Sequence, residues 1–227
     1  MDFLEKLMDA SRNKSLLCVG LDPNRERMPQ VQVPQFNRGI MHAILDLVCA
    51  HKPNSAFCEA LGIEGQRALA RTLAHIPKGI PVIGDGNGAD VSASSEVYAR
   101  AQFETFCFDA ATVNPYLVQC SIAPFIVSAD GRIFIWCKTS NPGSANLQES
   151  VYSGPRASGS ARPLFELVPR KAKDWETRSN IGLVAGATYP LAIEKSTQDL
   201  SLPSIVDCRD RGLGCRFGSC GEIWHGY

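Results

Sequence analysis

The sequence predicts an α/β fold in which a parallel sheet is covered by helices, and two observations support this. Short apolar runs alternate with longer amphipathic runs along the 227 residues, which is the pattern of repeated β/α units. The short runs are apolar throughout, so both faces of the sheet are expected to be buried. A doubly wound sheet and a (β/α)8 TIM barrel both satisfy this pattern.

The individual elements follow from these runs. The predicted strands are residues 15–21, 51–57, 81–85, 110–113, 132–138, 181–187 and 202–206. The predicted helices are residues 35–50, 64–76, 94–106 and 163–175, with Ser94 available as a helix cap. Residues 141–163 are rich in Gly, Ser and Pro, which predicts a mobile lid or a long connection.

Polar residues follow the strands and decide between the two architectures. They are Asp22, Lys52, Asp85, Asn114 and residues 139–141. In a barrel these strand ends converge on one face, where barrel enzymes place their sites. No glycine-rich dinucleotide fingerprint opens the first helix, which disfavours the doubly wound sheet. The barrel is therefore the predicted architecture.

Charge and hydropathy exclude several classes of partner. Lys plus Arg and Asp plus Glu both total 23, so no overall field favours nucleic acid or an acidic membrane. The longest apolar runs, such as residues 15–21, are too short to span a bilayer, and residues 1–14 contain no signal-peptide core. We expect a soluble cytoplasmic protein whose partner is a small molecule.

The segment PVIGDGNGADV, residues 81–91, places two carboxylates at the mouth of a strand. Asp85 and Asp90 would ordinarily hold a cation between them. The residues between them are only glycine, asparagine and alanine, so the segment itself supplies no partner for either charge.

Six motifs together resemble orotidine 5′-phosphate decarboxylase, specifically its long bacterial branch. They occur in the family's order within residues 1–206: SLLCVGLDP, KPNSAFCEALGIEG, PVIGDG with a later Asp, TVNPYL, KTSNPGS and GLVAGATYP. The resemblance implies a (β/α)8 barrel, usually a homodimer. It implies production of UMP in pyrimidine synthesis without a metal or an organic cofactor.

The resemblance also implies a catalytic array of alternating lysines and aspartates, the second aspartate coming from the neighbouring subunit. By position, Lys52 matches the first lysine, Asp85 the first aspartate and Asp90 the second. Asn87 stands in the place of the lysine that donates the proton. An asparagine amide carries no charge and cannot protonate a carbanion, so we expect impaired decarboxylation. The alternative is a non-catalytic pyrimidine-nucleotide-binding homologue or a pseudogene product.

Other positions match the family's nucleotide contacts. Asp22 corresponds to an aspartate that contacts the ribose, and Ser140 to the residue that reads the pyrimidine edge. Ser94 replaces a threonine that faces the partner's ligand. Without the resemblance, Asp22 reads as a turn residue and Ser140 as part of an ordinary loop. Further substrate contacts are expected from Thr139, Asn141, Gly186 and Thr188.

The last 21 residues, 207–227, depart from the family's pattern. The family has a phosphate-gripping segment there, followed by an eighth strand with an arginine. A reading shifted by one base resembles that missing segment, which predicts a frameshift near residues 204–206. The alternative is a metal knuckle from Cys208, Cys215, Cys220 and His225, but its spacing lacks a close cysteine pair.

The expected domain division is therefore a barrel over residues 1–206 and an aberrant tail over residues 207–227. A barrel that stops after about seven strands would expose the flanks of the first and the seventh strand, which favours aggregation. We expect a marginally stable or insoluble product.

Overall fold

A computed structural model describes residues 1–28, 31–128, 132–152, 161–177, 180–189, 204–207 and 215–218. One eight-stranded sheet dominates it. In chain order its strands are β1 (Leu17–Leu21), β2 (Val48–Pro53), β3 (Ile83–Gly84), β4 (Ala110–Val113), β5 (Arg132–Lys138), β8 (Ile181–Gly186), β9 (Ser204–Asp207) and β10 (Cys215–Gly218). A separate hairpin pairs β6 (Val151–Tyr152) with β7 (Arg162–Pro163).

The sheet closes on itself. Its strand order is β2-β1-β10-β9-β8-β5-β4-β3, and parallel bridges from His51 to Val82 and from Asn54 to Asp85 join the last strand to the first. Seven of these strands run in the same direction and pair in parallel, namely β1, β2, β3, β4, β5, β8 and β9. The predicted (β/α) barrel is therefore confirmed.

We expected the sheet to have open edges beside the first and the seventh parallel strands, but in the structure an eighth strand, β10, lies between them. β10 pairs antiparallel with β1 on one side and with β9 on the other. The backbone groups of a short extended segment thus occupy the ladder between the first and the last parallel strands. The remainder of the tail, including Cys208, Cys220 and His225, lies outside the described residues.

In the described parts of the chain, eight α-helices accompany the strands. They are α1 (Phe3–Asn13), α2 (Val33–Ala43), α3 (Ser55–Glu59), α4 (Gly62–Leu73), α5 (Ser92–Arg100), α6 (Val118–Val127), α7 (Ala145–Gln148) and α8 (Leu164–Trp175). A π-helical turn, Ala101–Thr105, continues α5, and a 3-10 turn, Pro142–Ser144, precedes α7. Within the described residues, no helix is long and apolar enough to cross a membrane.

Several predicted boundaries are wrong. The helix predicted over residues 35–50 ends at Ala43, and β2 begins at Val48 rather than at residue 51. A short apolar run fits either period, so its spacing alone does not separate strand from helix. Ser94 lies inside α5, whose N-cap is Val91. The described part of the predicted loop over residues 141–163 forms the 3-10 turn, α7 and the small hairpin.

Helix α1 packs against the interior of the barrel. Its N-terminus is fixed by a capping box between Asp2 and Glu5. Its buried face includes Phe3, whose ring makes an edge contact with Phe134 of β5 at 5.8 Å. The side chain of Lys6 bonds Asp109, just before β4, at 2.5 Å. A second apolar layer, outside the sheet, joins the strands to α6 and α8. The carboxyl ends of the parallel strands are left to carry polar side chains.

Candidate functional site

A buried ion pair lies at the carboxyl ends of β2 and β3. Lys52 Nζ is 2.5 Å from Asp85 Oδ2, and the two side chains are 1% and 0% exposed. Thr112 of β4 donates a hydrogen bond from Oγ1 to Asp85 Oδ1 at 2.9 Å. A buried charge needs a paired and hydrogen-bonded environment, and these contacts from neighbouring strands provide it.

Asn87 extends this network with a neutral group. Its backbone has φ of 48°, a left-handed conformation that asparagine tolerates better than most residues. Its Oδ1 accepts hydrogen bonds from Thr112 Oγ1, at 2.9 Å, and from Trp136 Nε1. The Thr112 hydroxyl has one proton and therefore serves Asp85 or Asn87 at any moment. The structure thus joins Lys52, Asp85 and Asn87 into one constellation.

The loop that carries Asp85 is pressed against the π-helical turn. A Cβ atom at Gly84 would lie 2.1 Å from Gln102 Oε1, and a Cβ atom at Gly86 would lie 2.7 Å from Gln102 Nε2. Gln102 itself is buried. π-helical turns are rare and often occur beside functional sites. Here the turn brings an amide side chain against the backbone on both sides of Asp85.

Asp90 is held within its own loop. Its side chain accepts a hydrogen bond from the backbone of Val91 at 2.7 Å, and the residue is exposed. Ser95 Oγ accepts from Asp90 N at 2.9 Å and donates to Asp90 O at 2.8 Å. Ser94, the serine named from the sequence, lies half-buried next to it in α5. Ser95 therefore fixes the loop end at which Asp90 faces outward.

Residues 139–141 form a compact turn after β5. Gln148 Oε1 accepts from Thr139 N at 2.9 Å, and Gln148 Nε2 donates to Thr139 Oγ1 at 2.7 Å. Thr139 Oγ1 in turn donates to Asn141 Oδ1 at 2.6 Å. The predicted base-reading residue, Ser140, is thus carried on a turn that α7 holds in place.

The ends of β5 and β8 approach each other closely. A Cβ atom at Gly186 would lie 3.0 Å from both Cβ and N of Ser140, so only glycine leaves the observed spacing undisturbed. Thr188 is exposed two residues further on. Asp22 is half-buried after β1, where a Cβ atom at Gly20 would lie 3.3 Å from its Oδ1.

A cavity of about 600 Å³ opens beside these turns. Four predicted site residues line it, namely Asn87, Thr139, Ser140 and Asn141. The remaining walls come from the chain after β4, from Trp136 and Cys137 of β5, and from α7 and α8. Among the described residues, no group of three or more His, Cys, Asp or Glu side chains is arranged to hold a metal ion.

The sequences of curated relatives show the family of this chain. The chain is 40% identical over 230 residues to an orotidine 5′-phosphate decarboxylase from Herpetosiphon aurantiacus, covering 97% of this chain and 82% of the relative. The chain belongs to the orotidine 5′-phosphate decarboxylase family. Members of this family are carbon–carbon lyases of pyrimidine biosynthesis. A second decarboxylase, from Roseiflexus castenholzii, is 45% identical over 201 residues, which cover 85% of this chain and 71% of the relative.

Solved structures of the decarboxylase family have the same fold. The OMP decarboxylase of Leishmania donovani superposes with a TM-score of 0.76 at 33% identity, covering 86% of this chain and 75% of that chain. The UMP synthase of the same organism gives a TM-score of 0.77 at 34% identity, over 86% of this chain and 42% of the longer chain. No model of a known protein family matches the chain.

Sequence reasoning missed several residues of this decarboxylase-family site. They are Ser95, Thr112, Trp136, Lys138 and Gln148. Thr112 and Lys138 lie inside two of the motifs that carried the resemblance, so the motifs contained the signal. Trp136 and Gln148 gave no such signal, because their contacts depend on which strands and turns become neighbours.

Proposed function

We propose that this chain derives from an enzyme that converts orotidine 5′-monophosphate to UMP and CO2, and that Asn87 impairs the reaction in it. The observation that carries the proposal is the buried Lys52–Asp85 pair with Asn87 bonded beside it through Thr112. In this proposal Lys52, Asp85 and Asp90 remain from the catalytic array, and Asn87 occupies the place of its proton donor.

The chemistry explains why the replacement matters. The bond between C6 and the carboxylate carbon breaks, CO2 leaves, and the electron pair stays on C6 until a proton arrives. A cation fixed beside C6 stabilises that charge and supplies the proton. Loss of one fixed donor of this kind costs about 10²–10³ in rate. Asn87 supplies neither charge nor proton, so the cost here should be larger.

The remaining predicted residues have roles in binding the nucleotide. Asp22 contacts the ribose and Ser140 reads the pyrimidine, with Thr139 and Asn141 beside it. Gly186 and Thr188 offer backbone N–H groups to the phosphate. The support is that Ser140 and Gly186 adjoin and that a cavity opens on the Ser140 side.

We further propose that the barrel is completed functionally by a second copy, in the cytoplasm. Asp90 faces outward from its loop, as expected for a residue that serves the partner's site. Large apolar side chains on or beside this loop are also exposed, namely Val91 at 63% and Tyr98, next to Gly88, at 48%; Tyr116, which lines the same cavity as Asn87, is 71% exposed. Such a surface suits contact with another copy.

The proposal includes the tail. We propose that residues 207–227 are out of frame and that the family's phosphate-gripping segment is lost with them. A substrate that loses its phosphate contacts loses the remote binding energy used to close loops around the reacting ring. The two lesions, at Asn87 and in the tail, therefore act on different steps.

A non-catalytic nucleotide-binding homologue is the second candidate. The observation that favours it is the neutral network of Asn87, Thr112 and Trp136, which positions the loop without a lysine. Calorimetric titration with UMP tests whether any nucleotide is bound. Turnover of orotidine 5′-monophosphate then separates the decarboxylase from the binder, which would bind UMP without turnover.

Four versions of the gene test the combined proposal in a pyrimidine-requiring host. They are the chain as it stands, Asn87→Lys alone, the corrected reading frame alone, and both changes together with Gly88→Arg and Ala89→Gly. Only the last should restore growth, because the first three each lack the proton donor, the phosphate grip or both. Growth from the unchanged chain, or from Asn87→Lys alone, would overturn the proposal.

A further inference from the structure

Lys138 is a buried cation that the reaction chemistry above does not use. It ends β5, directly before Thr139, and its side chain is 1% exposed. Its Nζ atom lies 2.9 Å from Ser144 Oγ and 3.0 Å from Glu149 Oε1. The same atom lies 4.1 Å from the centroid of the Tyr189 ring.

These contacts reach two separate parts of the site. The base segment, residues 139–150, carries Ser140, Ser144 and Glu149. The phosphate turn, residues 186–189, carries Gly186 and ends at Tyr189, whose backbone N–H donates to Gly186 O at 3.1 Å. One ammonium group therefore touches both segments at the same time.

We propose that Lys138 is a positioning residue that locks the base segment to the phosphate turn. A ligand phosphate bound by the turn would then order Ser140 for the pyrimidine. The assignment of the two segments to base and phosphate rests on the proposed function. The lock itself rests only on the contacts of Lys138.

Physical chemistry explains why a lysine suits this task. An ammonium group has three protons and no acceptor, and here an alcohol, a carboxylate and an aromatic face surround it. Moving either segment away would leave a buried charge with fewer partners, which is costly. Since these partners already surround the ammonium, Lys138 holds the walls of the site instead of taking the phosphate itself.

Amide hydrogen exchange on the protein without ligand tests the lock. Lys138→Met keeps the length of the side chain and removes its charge. We expect exchange in both segments to accelerate at least about tenfold, equivalent to about 1.4 kcal/mol of local opening. The informative amides include Ser144, Glu149 and Tyr189, which are hydrogen-bonded in the structure. Lys171→Met is the matched control, because Lys171 is 59% exposed and pairs with Asp174 on the surface of α8.

A second variant keeps the test decisive if Lys138→Met does not fold. Tyr189→Leu leaves the Lys138–Glu149 pair intact and changes only the phosphate turn. The lock predicts that exchange also accelerates across the base segment, at Ser144 and Glu149. Acceleration confined to the turn, or to one segment in Lys138→Met, would show that the segments are independent and would overturn the lock.

Comparing the binding of UMP with that of uridine tests whether phosphate bound by the phosphate turn improves binding through the base segment. In the unchanged protein the phosphate should improve binding, and Lys138→Met should reduce the ratio of the uridine and UMP dissociation constants at least about fivefold. An unchanged ratio alongside accelerated exchange would overturn the transmission. Binding of neither compound by the unchanged protein would overturn the transmission without contradicting the proposed function, in which the phosphate-gripping segment is already lost, while exchange would still decide whether the lock exists.

Discussion

Lys52 Nζ and Asp85 Oδ2 lie 2.5 Å apart on neighbouring strands, and both side chains are almost completely withdrawn from solvent. Each charge is tolerated there because the other is present. We therefore expect the pair to stabilise the barrel, apart from the catalytic role proposed for it, and the two roles are separable by experiment.

Removing one member of this pair should destabilise the fold strongly. For Lys52→Met or Asp85→Leu we expect a loss of about 3–5 kcal/mol in the free energy of unfolding, because a buried charge is left uncompensated. The double variant should recover much of that loss. Denaturant unfolding measures all three, with Lys171→Met as the exposed control, for which a change under about 1 kcal/mol is expected. A loss in the double variant equal to the sum of the two single losses would show that the two charges do not depend on each other.

His51 should make stability depend on acidity. Burial lowers the pKa of this imidazole from 6.5 to about 4, so between these values the unfolded chain binds a proton that the folded chain does not. The contribution of neutral His51 to the free energy of unfolding should be fully present above pH 6.5. That free energy should fall by up to about 3 kcal/mol as the pH approaches 4.

The measurement is denaturant unfolding at several pH values between 4.5 and 7.5. His51→Leu should flatten the dependence by removing the titrating group. The comparison variant is His75→Gln, which removes an imidazole that is exposed after α4 instead of a buried one. A slope as steep in His51→Leu as in the unchanged protein would assign the effect to other groups.

Two helical glycines should respond to alanine in opposite directions. A Cβ atom at Gly65 in α4 would lie 1.8 Å from the backbone oxygen of Cys58, whereas one at Gly39 in α2 would meet nothing within 4 Å. Gly65→Ala should therefore cost at least about 1–3 kcal/mol through overpacking. Gly39→Ala should stabilise by about 0.5–1 kcal/mol, because alanine loses less backbone entropy. Thermal unfolding of the two variants gives the comparison, and a stabilised Gly65→Ala would contradict the tight α3–α4 contact.

The cysteines should differ sharply in reactivity. Burial raises the pKa of Cys49 to about 12 and that of Cys58 to about 11, so almost no thiolate forms at pH 8. Cys107 and Cys120 are exposed. Brief alkylation with iodoacetamide, followed by peptide mass spectrometry, should label the exposed pair first. Early labelling of Cys49 would indicate that the barrel interior opens.

Sequence reasoning succeeded where a local pattern determines the structure and failed where distant neighbours do. The strands over residues 110–113 and 132–138 match β4 and β5 because polar and turn residues bound each run at the length of a strand. Residues 48–50 were predicted to end a helix but begin β2, because one apolar run fitted the spacing of a helix as well as that of a buried strand.

The site shows the same division. The roles expected for Lys52 and Asp85 came from the resemblance, and the structure adds that the two side chains are in contact. The link from Asp85 through Thr112 to Asn87 depends on how β4 aligns with its neighbours. Spacing along the chain contains no information about that alignment.

The antiparallel direction of β10 determines which end of the eighth strand lies at the rim around Lys52. Arg216 is level with Leu17 and Gly218 with Ser204, the first residues of β1 and β9. The last described strand, β10, therefore runs away from the rim at which the parallel strands end. The C-terminal ends of seven strands and the N-terminal end of the eighth lie at that rim. In a uniformly parallel barrel the eighth strand would end at that rim and its following loop would lie over it, whereas β10 begins there.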